Sequence, residues 1–487
     1  MIFVKPIHAL RYAFIILLCL ACIPLISAHS EAATYEVGPG KTYANISNVP
    51  WESLHGGDTV LIYYRSTPYR EKWVIAIQAS QQNPLIVRGV AGPNGELPVI
   101  DGENAVTRSQ LNFWGEARGV LKIGGANIPD SESAAWIVIE NLDIRSGRTP
   151  YQFTGRSGLT AYSSNAASIY IEYGQNIVVR NCSIHNSANG LFVSAASRNI
   201  TVEGCYIFDN GIDGSIYEHN TYTAAIGMIY QYNHFGPPRV NCPGNNLKDR
   251  SAGLVVRYNW IEGGNRQLDL VDAEDSMDIV NDPSYRNTYV YGNILIEPDG
   301  AGNSQIVHYG GDSVNTAIYR KGTLHFYNNT MVSTRVGHTT LFRLSTNEET
   351  CDSRNNIIYV TASGDNLAML DADGMLHMRN NWTKPGWVPS HGGLTGQIYN
   401  EGGMITGSNP GFANESGQDF HLAANSFCIN HGATLEASVV PDNALARQYV
   451  KHQRSESRPV DTVLDIGAFE AVQLVPPKIP ANLRLVP

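Results

Sequence analysis

Between residues 245 and 275 the chain reads NNLKDRSAGLVVRYNWIEGGNRQLDLVDAED. Lys248, Asp249 and Arg250 precede one apolar run, and Asp269, Asp272, Glu274 and Asp275 follow another. Charged residues make up only 16% of the sequence, so both signs are concentrated here. Just upstream, DGSIYEHNTY supplies Asp213, Glu218, His219 and Asn220, and YQYNHFGPPR supplies Tyr230, Tyr232, Asn233, His234 and Arg239. His308 in IVHYGGD, with His338 and Arg343 beyond it, extends the polar series. These residue types suit chemistry on an anionic sugar polymer. β-Elimination from a uronate needs a base for a weak carbon acid, and cations to neutralise the neighbouring carboxylate while charge develops on it. Lys248 is the candidate base, with a pKa that nearby arginines would lower. Arg250 and Arg257 are candidates to balance the carboxylate, and His219 to assist proton transfer. His234, Arg266, Asn220, Tyr232 and His308 are candidate substrate contacts. Asp269 and Asp272 form a candidate pair for Ca2+, a hard cation that takes several carboxylate and carbonyl oxygens.

Two other readings use the same residues. A glycoside hydrolase needs two carboxyl groups at a set separation with one protonated, which Asp269 with Asp272 or Asp275 would supply. A glycan-binding or adhesive surface needs no catalyst, and tyrosines and Trp260 would stack on sugar rings. The crowding of polar residues between 212 and 278 favours one localised site. Each residue also has a purely structural alternative: Lys248 paired with Asp249 on a solvated face, Arg257 snorkelling from a strand, histidines satisfied within loops.

The chain has 487 residues and 43% hydrophobic content, a globular composition with room for several ordinary domains or one large repetitive one. A formal charge of −10 predicts no general attraction to nucleic acid or anionic membrane. The start, MIFVKPIHALRYAFIILLCLACIPLISAHSEAA, has Lys5 and Arg11, an apolar run from Tyr12 to Ile26, and a small-residue SEA site, which reads as a secretory signal peptide over residues 1–32. LAC ending at Cys22 also resembles a lipoprotein site, so free secretion and a lipid anchor at the cell surface are both open. No second apolar run is long enough to span a membrane. Cys182, Cys205, Cys242, Cys351 and Cys428 are scattered and odd in number, which argues against a disulfide framework or a zinc site.

The elements that would position these side chains are short and repeated. WIVIENLDIRSG, NIVVRNCSIHNSANG, NITVEGCYIFDNG, GLVVRYNWIEGG, NTYVYGNILIEPDG, TLHFYNNTMVST and TCDSRNNIIYVT each place β-branched or aromatic residues before an Asn or Gly, then a second apolar run. The Asn or Gly marks a bend between two strands. From Asn181 to Gly204 the period is 23 residues, and later spacings are longer, as if loops were inserted. This period, without amphipathic helices, predicts a solenoid of parallel strands in which equivalent residues stack about 4.8 Å apart. Cys182 and Cys205 occupy one position in successive repeats, as inward apolar residues or as a disulfide. SNVPWESLHGGDTVLIYY predicts a short helical segment, a turn and a strand at one end. PVDTVLDIGAFEA predicts a final strand pair, and the Pro-rich 473–487 a tail or linker.

GPGKTYANI, GGDTVLI, PLIVRGVAGP with PVIDG, and DIGAFE, together with the Asn-bearing coils, resemble secreted right-handed parallel β-helix proteins built on PbH1 repeats, many of which are polysaccharide lyases. The resemblance implies an all-β solenoid over 33–472 with an N-terminal cap and inserted loops, acting on an acidic polysaccharide; a solenoid with capped ends needs no partner, so a monomer is expected. LKDRSAGLVVRYNWIEGG is also similar to the chondroitinase B and alginate lyase family. That similarity implies Lys248 as base, with Arg257 and Asn259 at the bend. Two features depart from the family pattern. Its next-coil Arg would fall near Val271 or Asp272, and its calcium-binding acids would fall in RVNCPGNN, which has no carboxylate. Arg250 or Arg266 would then replace the Arg, and Asp269, Asp272 or Glu218 would hold a cation.

Overall fold

The computed structural model describes residues 32–459 and 463–471. The expected signal peptide, Cys22 and the tail from 473 lie outside these residues. Three long sheets of 13, 11 and 13 strands run the length of the molecule, and each full coil contributes one strand to each. One coil shows the plan. Ala252–Arg257 lies in the first sheet, Trp260–Glu262 in the second and Leu268–Leu270 in the third. Each pairs in parallel with its counterpart in the coils before and after, so the expected solenoid is present. Side chains alternate inward and outward along these strands, and the inward Ile, Val and Leu form one continuous core.

The bend between the first and second sheets explains the repeated Asn and Gly. Tyr232, Tyr258, Gly292, Asn328, Asn355 and Asn380 hold it with φ between +49° and +65°, a left-handed turn. The next residue in each case is a buried Asn: 233, 259, 293, 329, 356 and 381. Each of the first five donates its Nδ2 to the Oδ1 of the next at 3.0–3.1 Å. Chains of this kind satisfy amides that would otherwise be orphaned in the interior. Cys182 and Cys205 hold the same place in earlier coils, fully buried as free thiols, and the Cys205 amide donates to Asn233 Oδ1 at 2.9 Å.

The two ends differ. Ile46–Asn48 and Trp51–Ser53 are 3-10 turns, and Trp51 stacks on Trp73 with ring centroids 5.3 Å apart, as the N-terminal pattern predicts. The predicted final strand pair does not form among the described residues. Residues 463–471 run as an irregular strap that buries Ile466 and Phe469 against the outer face of the second sheet. Among the described residues no helix is long and apolar enough to cross a membrane.

Candidate functional site

The third sheet carries the site because its outward positions change character along the stack. Tyr170, Phe192, Tyr222, Lys248, Asp269, His308 and Arg343 are register partners in seven successive coils. The first three are aromatic and meet edge to face, with centroids 5.5 and 5.2 Å apart. The next four are charged or titratable and border a pocket of about 520 Å³. Asp312, directly after the Gly310–Gly311 turn, also borders it.

Lys248 sits at the centre. Its Nζ donates to Asp269 Oδ2 at 2.7 Å and to Asp312 Oδ2 at 2.5 Å. Burial pulls the ammonium pKa down, but the two carboxylates outweigh burial and raise it above the ordinary lysine value. This overturns the expectation that neighbouring arginines depress it, because the carboxylates are closer. Burial likewise pushes Asp269 up, yet Lys248, His308 and Arg266 hold it well below the usual carboxylate range. Asp312 is also lowered, burial being outweighed by Lys248 and Arg250.

Arg250 and Arg266 flank the lysine. Arg250 donates Nε to Tyr222 Oη at 3.0 Å and pairs with Asp312 at 3.0 Å and Glu274 at 2.9 Å. Arg266 donates to Gln305 Oε1 at 2.7 Å and approaches Asp269 at 3.7 Å. Arg343 is exposed and forms no side-chain hydrogen bond among the described residues. His219 accepts the Asn245 amide hydrogen at Nδ1, 2.9 Å, and burial lowers its pKa to about 3, so it is neutral with Nε2 protonated. His308 meets Asp269 through Nδ1 at 2.7 Å and Ser345 Oγ through Nε2 at 3.0 Å.

Lys248, Arg250, Arg266, Asp269, His219 and His308 thus converge, but the other candidates do not. Arg257 is on the first sheet, bonded to Gln231 Oε1 at 2.9 Å and Tyr291 Oη at 3.1 Å. Tyr232 is at the first bend, stacked on Tyr258 at 5.8 Å. His234 is on the second sheet, sandwiched between Tyr206 at 4.4 Å and His452 at 4.0 Å, and burial lowers its pKa to about 3. Asn220 is fully buried in a corner ladder between Asn210 and Asn246. These four are removed from the pocket by the same geometry: a coil has three faces, and residues close in sequence fall on different ones.

Asp272 is fully buried and caps the loop over the pocket, accepting the Asp312 amide at 2.7 Å and the Ser313 amide at 3.3 Å. It does not pair with Asp269 for calcium. Asp269 and Asp312, the carboxylates at the centre, are occupied by Lys248, Arg250, His308 and Asn245. No group of three His, Cys, Asp or Glu among the described residues is placed to share a metal ion. These residues do not fit Ca2+. The carboxyls expected for a hydrolase are not brought together: Asp269 borders the pocket, Asp272 is fully buried under its loop, and Asp275 lines the adjoining hollow. Asp249, adjacent to Lys248, faces the core instead and is met by Thr223, Ser251 and the fully buried Arg320.

A second hollow of about 320 Å³ adjoins the pocket through Tyr222 and Arg250, with Phe192, Ala224 and Asp275 on its walls. Asp312, Tyr222, Asn245 and Ser345 were not legible as site residues. The YGGD turn is a signal for Asp312, but the inserted loop after Asp272 hides which coil it overhangs.

No curated protein sequence matches the chain. Solved structures that align with it include pectate lyase Pel9A, with 11% identity, 91% of this chain and 97% of that one covered, and a TM-score of 0.48. An alginate lyase from Paenibacillus sp. str. FPU-7 aligns at 9% identity over 77% of this chain and 99% of that one, TM-score 0.45. The GH136 lacto-N-biosidase from Eubacterium ramulus aligns at 11% identity over 77% and 68%, TM-score 0.40. Residues 99–295 match the family model described as right handed beta helix region, and with its three long parallel sheets the chain is a right-handed parallel β-helix protein.

Proposed function

We propose that the third-sheet pocket binds a uronate-containing glycan and cleaves it by β-elimination, in a protein exported by its N-terminal segment. The observation that carries this reading is the charge of the pocket. Lys248, Arg250, Arg266 and Arg343 face three carboxylates, Asp269, Glu274 and Asp312, and both histidines on its wall are held toward the neutral form. Asp272 beneath the loop, 3.7 Å from Arg250, brings these charges into balance, and the unpaired Arg343 guanidinium at the edge is the cation left for a substrate carboxylate. Arg343 and Arg266 would pair with that carboxylate and stabilise the charge that develops when the α-proton leaves. Phe192 and Tyr222, on the wall of the adjoining hollow, would stack on neighbouring sugar rings.

Lys248 is assigned as the base. The acceptor nitrogen of His219 is taken by a backbone amide, and both nitrogens of His308 have partners, so neither imidazole offers a lone pair to the pocket. The ammonium must lose its proton before it can act, and after abstraction the same nitrogen can return a proton to the leaving oxygen.

Lys248→Arg tests this while keeping the charge between Asp269 and Asp312. A guanidinium stays protonated, so the rise in ultraviolet absorbance from unsaturated uronate should fall by about two orders of magnitude or more, with melting little changed. Alginate, pectate and glycosaminoglycans form the panel, with calcium and with chelator. No chromophore on any of them from the wild-type protein, or full activity in the arginine variant, would overturn the assignment.

A further inference from the structure

One constellation is not used by elimination. Asp269, His308 and Ser345 stand in a row across three coils. Asp269 Oδ1 meets His308 Nδ1 at 2.7 Å, and His308 Nε2 meets Ser345 Oγ at 3.0 Å. Asp269 and His308 are register partners, and Ser345 directly follows the strand Thr339–Leu344 of the next coil. The row is held by strands on one side of a solenoid rather than by loops.

Hydrogen-bond logic fixes its polarity. Asp269 is ionised between Lys248 and the histidine, so it can only accept, and His308 Nδ1 must carry a proton. Burial lowers the His308 pKa, which keeps the ring neutral and leaves Nε2 as a lone pair. The hydroxyl facing that lone pair is Ser345's, whose single proton also reaches the Gly311 carbonyl at 2.9 Å and the Tyr309 carbonyl at 3.3 Å, so the serine is activated when its proton turns to the imidazole. Ser345 Oγ in turn accepts the Gly311 amide hydrogen at 2.9 Å. Ser345 is partly exposed, and His308, Gly311 and Arg343 around it border the pocket. An imidazole oriented by a carboxylate with its free nitrogen on a hydroxyl is the arrangement that activates a serine.

We propose that Ser345 is the nucleophile of a second activity, acyl-ester hydrolysis, with O-acetyl esters on the glycan as its substrate class. Ser345 Oγ forms a bond to the ester carbonyl carbon while its proton passes to His308 Nε2. The carbon–oxygen bond to the sugar breaks, and the sugar oxygen takes the proton from His308. Water, deprotonated by His308, then attacks the acyl-serine, releasing acetate and restoring the hydroxyl. Asp269 is a positioning residue throughout. The Arg343 guanidinium, on the strand that leads into Ser345, supplies a donor beside the oxyanion. The hydrolysis stands on these three side chains alone. Its glycan ester substrate rests on the function proposed above, because removing esters would free sugars to enter the same pocket.

The full-length protein is treated with a fluorophosphonate probe and digested for mass spectrometry, and hydrolysis of 4-nitrophenyl acetate is followed in parallel. The expected result is one adduct, on Ser345, and saturable hydrolysis. Ser345→Ala should lower hydrolysis at least about a hundredfold, with melting unchanged. No adduct on Ser345 in the folded wild-type protein, or equal hydrolysis by the alanine variant, overturns the proposal. Hydrolysis of the small ester without acetate release from acetylated polyuronates overturns the substrate class. An adduct with no chromophore on any glycan would leave the serine activity standing and refute elimination instead.

Discussion

At the scale of the residue, the chemistry of the pocket is set by how Lys248 is held. Two carboxylates on one buried ammonium raise its pKa above an ordinary lysine, near 10.4. If it is the base, kcat/KM for elimination depends on the small deprotonated fraction of the free enzyme. The rate should rise about tenfold per pH unit from neutrality and show no plateau below about pH 10. A plateau near neutral pH would exclude Lys248 as the group that titrates. Asp269→Asn removes one of the two carboxylates, so the rising limb should move to lower pH in that variant. The same change should lower stability by about 3 kcal/mol, by urea denaturation, because the lysine keeps only Asp312 and His308 loses its acceptor. The signs of linkage follow from the shifts. The stability from the depressed Asp269 is present above its unfolded pKa and is lost as pH falls through the lower folded value. The stability from the raised Lys248 is present below its unfolded pKa and is lost as pH rises through the folded value. The pH that frees the base therefore also loosens the pair.

At the scale of the element, the repeated Asn positions are the clearest link between sequence and fold. A bend residue in left-handed conformation followed by an inward Asn recurs from Tyr232–Asn233 to Asn380–Asn381. Asn293 accepts from the Asn259 amide and side chain, and donates to Val256, Tyr291 and Asn329. Asn293→Ala should cost about 2 kcal/mol or more, since it strands buried donors and acceptors on both sides. The cost appears in chemical denaturation, and the pocket on the third sheet should keep its activity. This ladder was legible because its period is local: Asn or Gly after a β-branched run needs no knowledge of loop length. The face on which an outward residue lies was not. Arg257 follows Lys248 by nine positions yet sits on another sheet, because the chain turns two corners per coil outside the long loops. Arg343 is distant in sequence yet belongs to the ladder, because inserted segments after Asp272 and Gly311 do not change the register of the strands. A period of 23 residues, read from two compact coils, could not place residues beyond insertions of varying length.

At the scale of the whole molecule, each of the three sheets has a different outer surface. The second sheet is covered by the C-terminal segment. Trp260, Ile296, Val332, Ile357 and Trp382 point outward from it and are buried by Phe412, Phe420, Tyr449, Ile466 and Phe469. Polar contacts pin the cover along its length. Asn355 donates to the Ala433 carbonyl at 2.8 Å, the Ala446 amide to Tyr258 Oη at 3.0 Å, and Asn328 to the Asp465 carbonyl at 2.8 Å. This strap accounts for His234 as well, since His452 stacks on it and shields it from solvent. The segment closes one face and leaves the third-sheet pocket open. Ending the chain after Gly407 would strip that cover. Each large side chain so exposed forfeits about 1.5–3 kcal/mol of burial, and together they form an apolar stripe along several coils. The truncated protein should keep its β-rich circular dichroism when refolded at low concentration, because the coils and the Asn ladder remain. It should associate at higher concentration, seen by sedimentation or light scattering, while the full chain does not. If the truncated chain instead stays monomeric and melts as the full chain does, the strap is a passenger and the outer row of the second sheet is tolerant of water. If it fails to form β structure at all, the strap is part of the folding core, and the solenoid is not stable on its own ladders.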